Sequence, residues 1–309
     1  MTRDAEPVSD HLARATVLRR LELAVLRRLD GRVAGEHHST SHGPGSERAG
    51  ARDYQPGDDA RRIDWNLTAR SLSTQVRQTE ADRELETWVV ADRSASMDFG
   101  TALREKRDVV LGVTAAVGVL TVRAGNRLGA VLAGGPDLRI RTAKGGRRHM
   151  LAILAETHDS PRHATPPPDT ADLTAALRAQ RRIQPRRSQV VVVSDFLDPT
   201  DWPRALRETA LHNQVIAVHV TDPRELALPD VGLLRTVDPE SGRLITVQTG
   251  SSALRERYSV AAEERLERIR RDIRSSGAEY LWTSTDRDWL TDVLRFAVAR
   301  RQRAQGVLA

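Results

Sequence analysis

Val89-Val90-Ala91-Asp92-Arg93-Ser94-Ala95-Ser96-Met97 is the stretch that decides the reading of this chain. An apolar run ends in an aspartate, and two serines follow at a spacing of two. Such a run reads as a buried parallel strand, which delivers Asp92 to the carboxyl edge of a sheet. The turn after it lets Ser94 and Ser96 aim both hydroxyls at one spot. These are hard oxygen donors of the kind Mg²⁺ selects, with no thiolate or imidazole among them.

A second strand end matches the first. Ser188-Gln189-Val190-Val191-Val192-Val193-Ser194-Asp195-Phe196 is again β-branched and ends in an acid. Its near-continuous valines predict a strand covered on both faces. With both strands central, Asp92 and Asp195 flank one crevice at the carboxyl edge, where open α/β sheets bind ligands. The competing reading is that each aspartate caps the helix that follows it.

Outward from these two ends, strands and helices alternate. Strands are expected at 87–92, 127–133, 138–142, 189–195, 214–220 and 279–284. Helices are expected at 102–123, 147–158, 171–183, 202–212, 251–275 and 288–303, with a hairpin across 232–248. This rhythm predicts an α/β fold, a doubly wound and mostly parallel sheet with helices on both faces. Residues 1–44 read as an amphipathic helix (12–30, closed by Gly31) and a mobile loop. Residues 45–86 form a distinct mixed segment, with 74–86 as an extended edge, and 87–303 form the α/β domain. Tyr54 and Trp65 are costly to leave in water and are expected to pin the mixed segment to a core.

Composition narrows the function classes. The chain has 309 residues, 39% hydrophobic and 4% aromatic, with no cysteine. No disulfide framework or thiolate metal site is available, which fits a reducing, cytoplasmic setting. The longest apolar run, Val109 to Val122, is too short to span a bilayer. The net charge is +6, and Lys106 and Lys144 are the only lysines among 48 basic side chains. Arg147 and Arg148, Arg182, Arg186 and Arg187, and Arg300 and Arg301 should collect at the end of the sheet away from Asp92. They read either as a patch for an acidic partner or as cations satisfying helix carboxyl termini. No aromatics interleave them, which argues against specific nucleic-acid binding. His37, His38 and His42 lie in a Gly/Ser-rich loop and read as solvated.

The stretch Gly45 to Arg70, together with Ala91 to Met97 and Ser194 to Asp198, resembles the bacterial domain of unknown function 58 family. The signature is carried by Arg52, Tyr54, Gly57, Asp58, Arg61, Asp64, Trp65 and Arg70. The resemblance implies a von Willebrand factor A-like fold, no established enzymatic activity, and a MoxR-type AAA+ ATPase or a client protein as partner. It also implies a metal-ion-dependent adhesion-type site holding Mg²⁺ or Mn²⁺. Asp92, Ser94 and Ser96 match its first loop and Asp195 its third. The second loop departs from the pattern, because Ala171 stands where a threonine is usual and Thr170 lies one residue away. A protein-binding module with one metal position open to a partner's carboxylate is the preferred expectation. The alternatives are a metal-free scaffold acting through residues 52–70 and, more remotely, a metal-assisted phosphoester hydrolase. For the last, no general base is in view, since His219 falls inside a predicted strand.

Overall fold

The computed structural model describes residues 16–28, 51–55, 63–71, 73–77, 86–162, 172–237 and 243–304. In chain order these give helix α1 (16–28), strand β1 (Ala51–Asp53), the one-turn helix α2 (Trp65–Thr68) and strand β2 (Gln75–Arg77). Then follow β3 (Glu86–Asp92), α3 (Lys106–Arg123), β4 (Arg127–Ala133), β5 (Arg139–Lys144), α4 (Arg147–His158) and α5 (Leu173–Ile183). Next come β6 (Gln189–Ser194), α6 (Trp202–Ala210), β7 (Gln214–Thr221), the short α7 (Pro223–Leu226), and the hairpin of β8 (Leu233–Val237) with β9 (Leu244–Gln248). The chain continues through α8 (Ser252–Ser275), β10 (Glu279–Ser284) and α9 (Trp289–Ala304). Residues 1–30 and 85–309 form one compact unit, and 31–84 form another.

Six strands of the larger unit make the central sheet, in the order β10-β7-β6-β3-β4-β5. All neighbours pair parallel except β4 and β5, which pair antiparallel. The strand order reverses between β3 and β6, the place where open α/β sheets form a ligand crevice at their carboxyl edge.

Alternation along each strand explains the valine runs. Val89 and Ala91 of β3, with Val191 and Val193 of β6, enter the core under α3, α4 and α9. Trp88 and Val90, with Val190 and Val192, enter the opposite core under α5, α6 and α8. Both faces of these strands are therefore dry, and each buried valine contributes about 1.5–3 kcal/mol relative to exposure. The leading helix is not a free arm. Leu18 and Val25 are buried in the first core, and Glu22 takes a two-pronged ion pair from Arg147. The apolar face of this amphipathic helix is what draws it in.

Sequence boundaries hold within a few residues for the sheet strands and the long helices. Gly31, residues 35–50 with their three histidines, and the hairpin turn at 239–242 lie outside the described residues. Of the expected 74–86 edge strand, the described residues show only the short Gln75–Arg77 and the start of β3.

Gly129 shows how tightly the core constrains sequence. It sits opposite Trp88 in the β3–β4 register, beside a register shift between β4 and β5. A Cβ at Gly129 would lie 2.7 Å from the indole of Trp88. The prediction is that Gly129→Val lowers unfolding stability by about 1–3 kcal/mol, the usual penalty of overpacking. Urea unfolding followed by far-UV circular dichroism checks it.

Candidate functional site at the carboxyl edge

The strand end at Asp92 is followed by a 3₁₀ turn (Ala95–Asp98) that brings the serines back over it. Asp92 Oδ1 accepts from the Ser94 backbone N–H at 2.9 Å, and Oδ2 accepts from Ser194 Oγ at 2.6 Å. The Ser94 and Ser96 hydroxyl oxygens lie 3.1 Å apart. Gly134, at φ 92°, is needed beside this turn, because a Cβ there would fall 2.1 Å from the Ser94 nitrogen.

Asp195 follows β6 and faces the same crevice. Its Oδ1 accepts from the Leu197 N–H at 3.1 Å, and the Ser96 hydroxyl donates to the same carboxylate. The next residue, Phe196, adopts φ 55°, a left-handed conformation unusual for a bulky side chain. That strain is held by burial of Phe196 against Trp202 and His219, and by its N–H donating to Ser194 Oγ. The bent backbone is what turns Asp195 toward Asp92 while Phe196 stays in the core.

Lys106 is the feature that sequence reasoning missed. It is the first residue of α3 and is fully buried. Its Nζ donates to Asp195 Oδ2 at 2.6 Å and to Glu225 Oε1 at 2.5 Å. Glu225 belongs to α7, and its other oxygen accepts the Asp222 backbone N–H in a capping box. Asp222 in turn accepts from the Thr101 N–H and hydroxyl and from the Thr285 hydroxyl. One ammonium thus ties the start of α3, the end of β6 and α7 together.

The two aspartates are electrically unequal. Burial pushes Asp92 up to about 6, and the charge of Asp195 adds to the shift. Burial also opposes ionisation of Asp195, but the Lys106 ammonium outweighs it and holds this carboxyl below its ordinary value. Burial raises Glu225 despite the same ammonium. For Lys106, desolvation alone would favour the neutral amine; Asp195 and Glu225 reverse that, and it is raised. His219 is pushed down to about 4, chiefly by burial, and its Nδ1 lies 3.1 Å from the Tyr280 hydroxyl. It is a neutral core histidine.

As a place for Mg²⁺, the donor chemistry fits. Ser94 and Ser96 supply hydroxyls, and Asp92 meets only hydroxyl and amide donors among the described residues, with no cationic side chain on it. Such a carboxylate, buried beside a second one, is where a dication gains most. Asp195 would be shared between that ion and Lys106. Thr170 and Ala171, the second loop, lie outside the described residues. No cluster of three or more His, Cys, Asp or Glu able to hold a metal occurs among the described residues.

The remaining sequence expectations divide. Asp64 is buried and accepts the Leu67 N–H at 3.2 Å, so it caps α2. Trp65 is 69% exposed and Tyr54 38% exposed, which corrects the expectation that they anchor a core. A single helical turn offers too little surface to bury an indole. Arg70 is exposed, the backbone of Arg52 pairs with Val76, and Gly57, Asp58 and Arg61 lie outside the described residues. Of the basic group, Arg147 is committed to Glu22 and Arg300 to Glu279. Arg148, Arg182, Arg186 and Arg187 are placed on or just after α4 and α5.

The Lys106 arrangement gives a test. Lys106→Met leaves the buried Asp195 and the half-buried Glu225 without their cation and should cost about 3–5 kcal/mol. Lys106→Arg should not restore it, since a guanidinium is larger than the compact ammonium this fully enclosed site accommodates. Denaturant midpoints of the two variants and wild type check both statements.

A family model described as "Protein of unknown function DUF58" matches residues 50–268. Uncharacterised proteins of Mycobacterium tuberculosis (Rv1480) and Mycobacterium bovis (Mb1516) are each 45% identical over 290 residues, covering 94% of this chain and 90% of theirs. Among solved structures, an aerotolerance-related membrane protein from Bacteroides fragilis is similar at 13% identity and TM-score 0.43, over 65% of this chain and 93% of that one. BatB from Bacteroides thetaiotaomicron is similar at 13% identity and TM-score 0.39, over 69% and 98%. The VWA domain of SpRpn10 is similar at 14% identity and TM-score 0.39, over 68% and 93%. The chain belongs to the DUF58 family, and its larger unit is an α/β domain built on a mostly parallel sheet.

Proposed function

We propose that this chain is a non-enzymatic protein-binding module that engages its partner at the carboxyl edge of the sheet, through a Mg²⁺-dependent adhesion-type site. The observation that carries the reading is the buried Asp92–Asp195 pair at the strand-order reversal, with the Ser94 and Ser96 hydroxyls 3.1 Å apart beside it. Asp92, Ser94 and Ser96 would hold the ion and Asp195 would back it. Mg²⁺ keeps open or water-filled positions that a partner's carboxylate can take. The family resemblance suggests a MoxR-type AAA+ ATPase or its client as that partner, in assembly or maturation of other proteins. Hydrolysis of a phosphoester is disfavoured, because His219 is buried against Tyr280 rather than poised as a base.

One observation favours a second reading. The Lys106 ammonium already neutralises charge on Asp195 and Glu225, as a resident cation would. On that basis the protein serves as a metal-free scaffold acting through residues 52–70, where Trp65 and Tyr54 are exposed as contacts. Thermal unfolding in metal-free and millimolar Mg²⁺ buffer separates the two. A ligand bound only by the folded state raises its midpoint. The Mg²⁺ reading predicts a rise in wild type that disappears in Asp92→Asn; the scaffold reading predicts no rise in either.

A further inference from the structure

Between the two residues that open the site stands Arg93, a cation that makes no salt bridge among the described residues. The residue is 5% exposed. Among the described residues its guanidinium makes one hydrogen bond, from Nη1 to the Arg107 carbonyl at 3.3 Å, and its Nε is buried with no partner. A guanidinium keeps its charge at neutral pH and presents five donors in a rigid fork, so burial without an acceptor is expensive. The nearby acids are engaged elsewhere. Asp92 accepts from Ser94 and Ser194, and Asp98 pairs with Arg107 at 2.6 Å. Burial, with the neighbouring Arg107 charge, pushes Arg93 down to about 10, against the pull of Asp98, Asp92 and Asp108.

Arg93 lines a cavity of about 140 Å³ on the β4 side of the serine turn. Gly134 and Gly135 give it a wall without side chains, and Arg139 and Asp137 also border it. Arg139 is exposed. Two guanidinium groups against one carboxylate leave the cavity net positive. The volume suits a carboxylate or another small oxyanion, which a guanidinium fork binds through paired hydrogen bonds.

We propose that this cavity is a carboxylate-binding pocket, in which Arg93, assisted by Arg139, takes an acidic side chain presented by a protein partner. The partner identity as a protein rests on the reading in the preceding subsection; the pocket itself does not depend on the metal. A partner segment with two acids could then satisfy this pocket and the adjoining serine turn together.

The test uses the full chain in chelator-resin-treated, metal-free buffer at constant ionic strength. Thermal midpoints are followed while chloride is replaced by acetate or by inorganic phosphate. The pocket predicts saturable stabilisation by acetate and phosphate, weakened at least tenfold in apparent affinity in Arg93→Met. In Arg139→Met, whose exposed site leaves folding undisturbed, the affinity should fall less. Arg93→Lys keeps the charge but loses the fork, and should bind more weakly than wild type. Equal response to all three anions, or an unchanged response in both Arg93→Met and Arg139→Met, overturns the proposal. A response to phosphate without acetate overturns the carboxylate assignment. Because no metal is present, failure here leaves the Mg²⁺ result standing on its own, and the reverse also holds.

Discussion

A single ammonium group organises the carboxyl edge of this protein. Lys106 is fully enclosed and bonded to Asp195 and Glu225, side chains 89 and 119 residues away in the chain. A carboxylate as deep as Asp195 beside the half-buried Glu225 would be untenable alone, since unpaired buried charge is among the most destabilising features a fold can carry. Pairing them through one cation fixes three things together. It sets the start of α3, the conformation after β6 that leaves Phe196 at φ 55°, and the attachment of α7 through its capping box. The Asp222 hub, bonded to Thr101 and Thr285, extends the same brace to the ends of β7 and β10.

The brace also separates the two aspartates that the sequence pairs by symmetry. Asp195 has its cation inside the fold. Among the described residues Asp92 is met by the Ser94 amide and by the Ser94 and Ser194 hydroxyls but by no ammonium or guanidinium hydrogen bond, and its affinity for a proton is raised first by burial and then by Asp195. The proposed dication site accordingly falls on the Asp92 side, next to the serine hydroxyls. The turn continues outward to Arg93, a buried cation whose Nε has no hydrogen-bond partner. The edge combines an under-compensated anion and an under-compensated cation within two consecutive residues. Such a surface is suited to recognition by complementary charge more than to turnover.

How much of this was legible in the sequence follows from the range of each interaction. Strand and helix positions could be read because they rest on local periodicity: the valines of β6 alternate into two cores, and Asp92 and Asp195 are delivered by the strands that precede them. Lys106 could not be read that way. Its partners are brought near only by the sheet order, and a lysine at a helix start reads as a solvated side chain. A weak signal existed, for it is one of two lysines in a chain that otherwise uses arginine. A site requiring a compact cation is where arginine fails. Trp65 was misread for the opposite reason. Its type argues for burial, but the one-turn helix that holds it provides no core to enter, and the indole remains exposed.

The proposed arrangement divides the labour, with Lys106 on Asp195 and a dication at Asp92, Ser94 and Ser96. Anomalous diffraction at the manganese edge, from crystals grown with Mn²⁺, tests it most directly. The account predicts a peak about 2.1 Å from the Ser94 and Ser96 hydroxyl oxygens, with hard-oxygen coordination. Lys106 should remain bonded to Asp195 in the same crystal. An ordered serine turn without a peak would contradict the claim, as would an ion bound only after Lys106 has left Asp195.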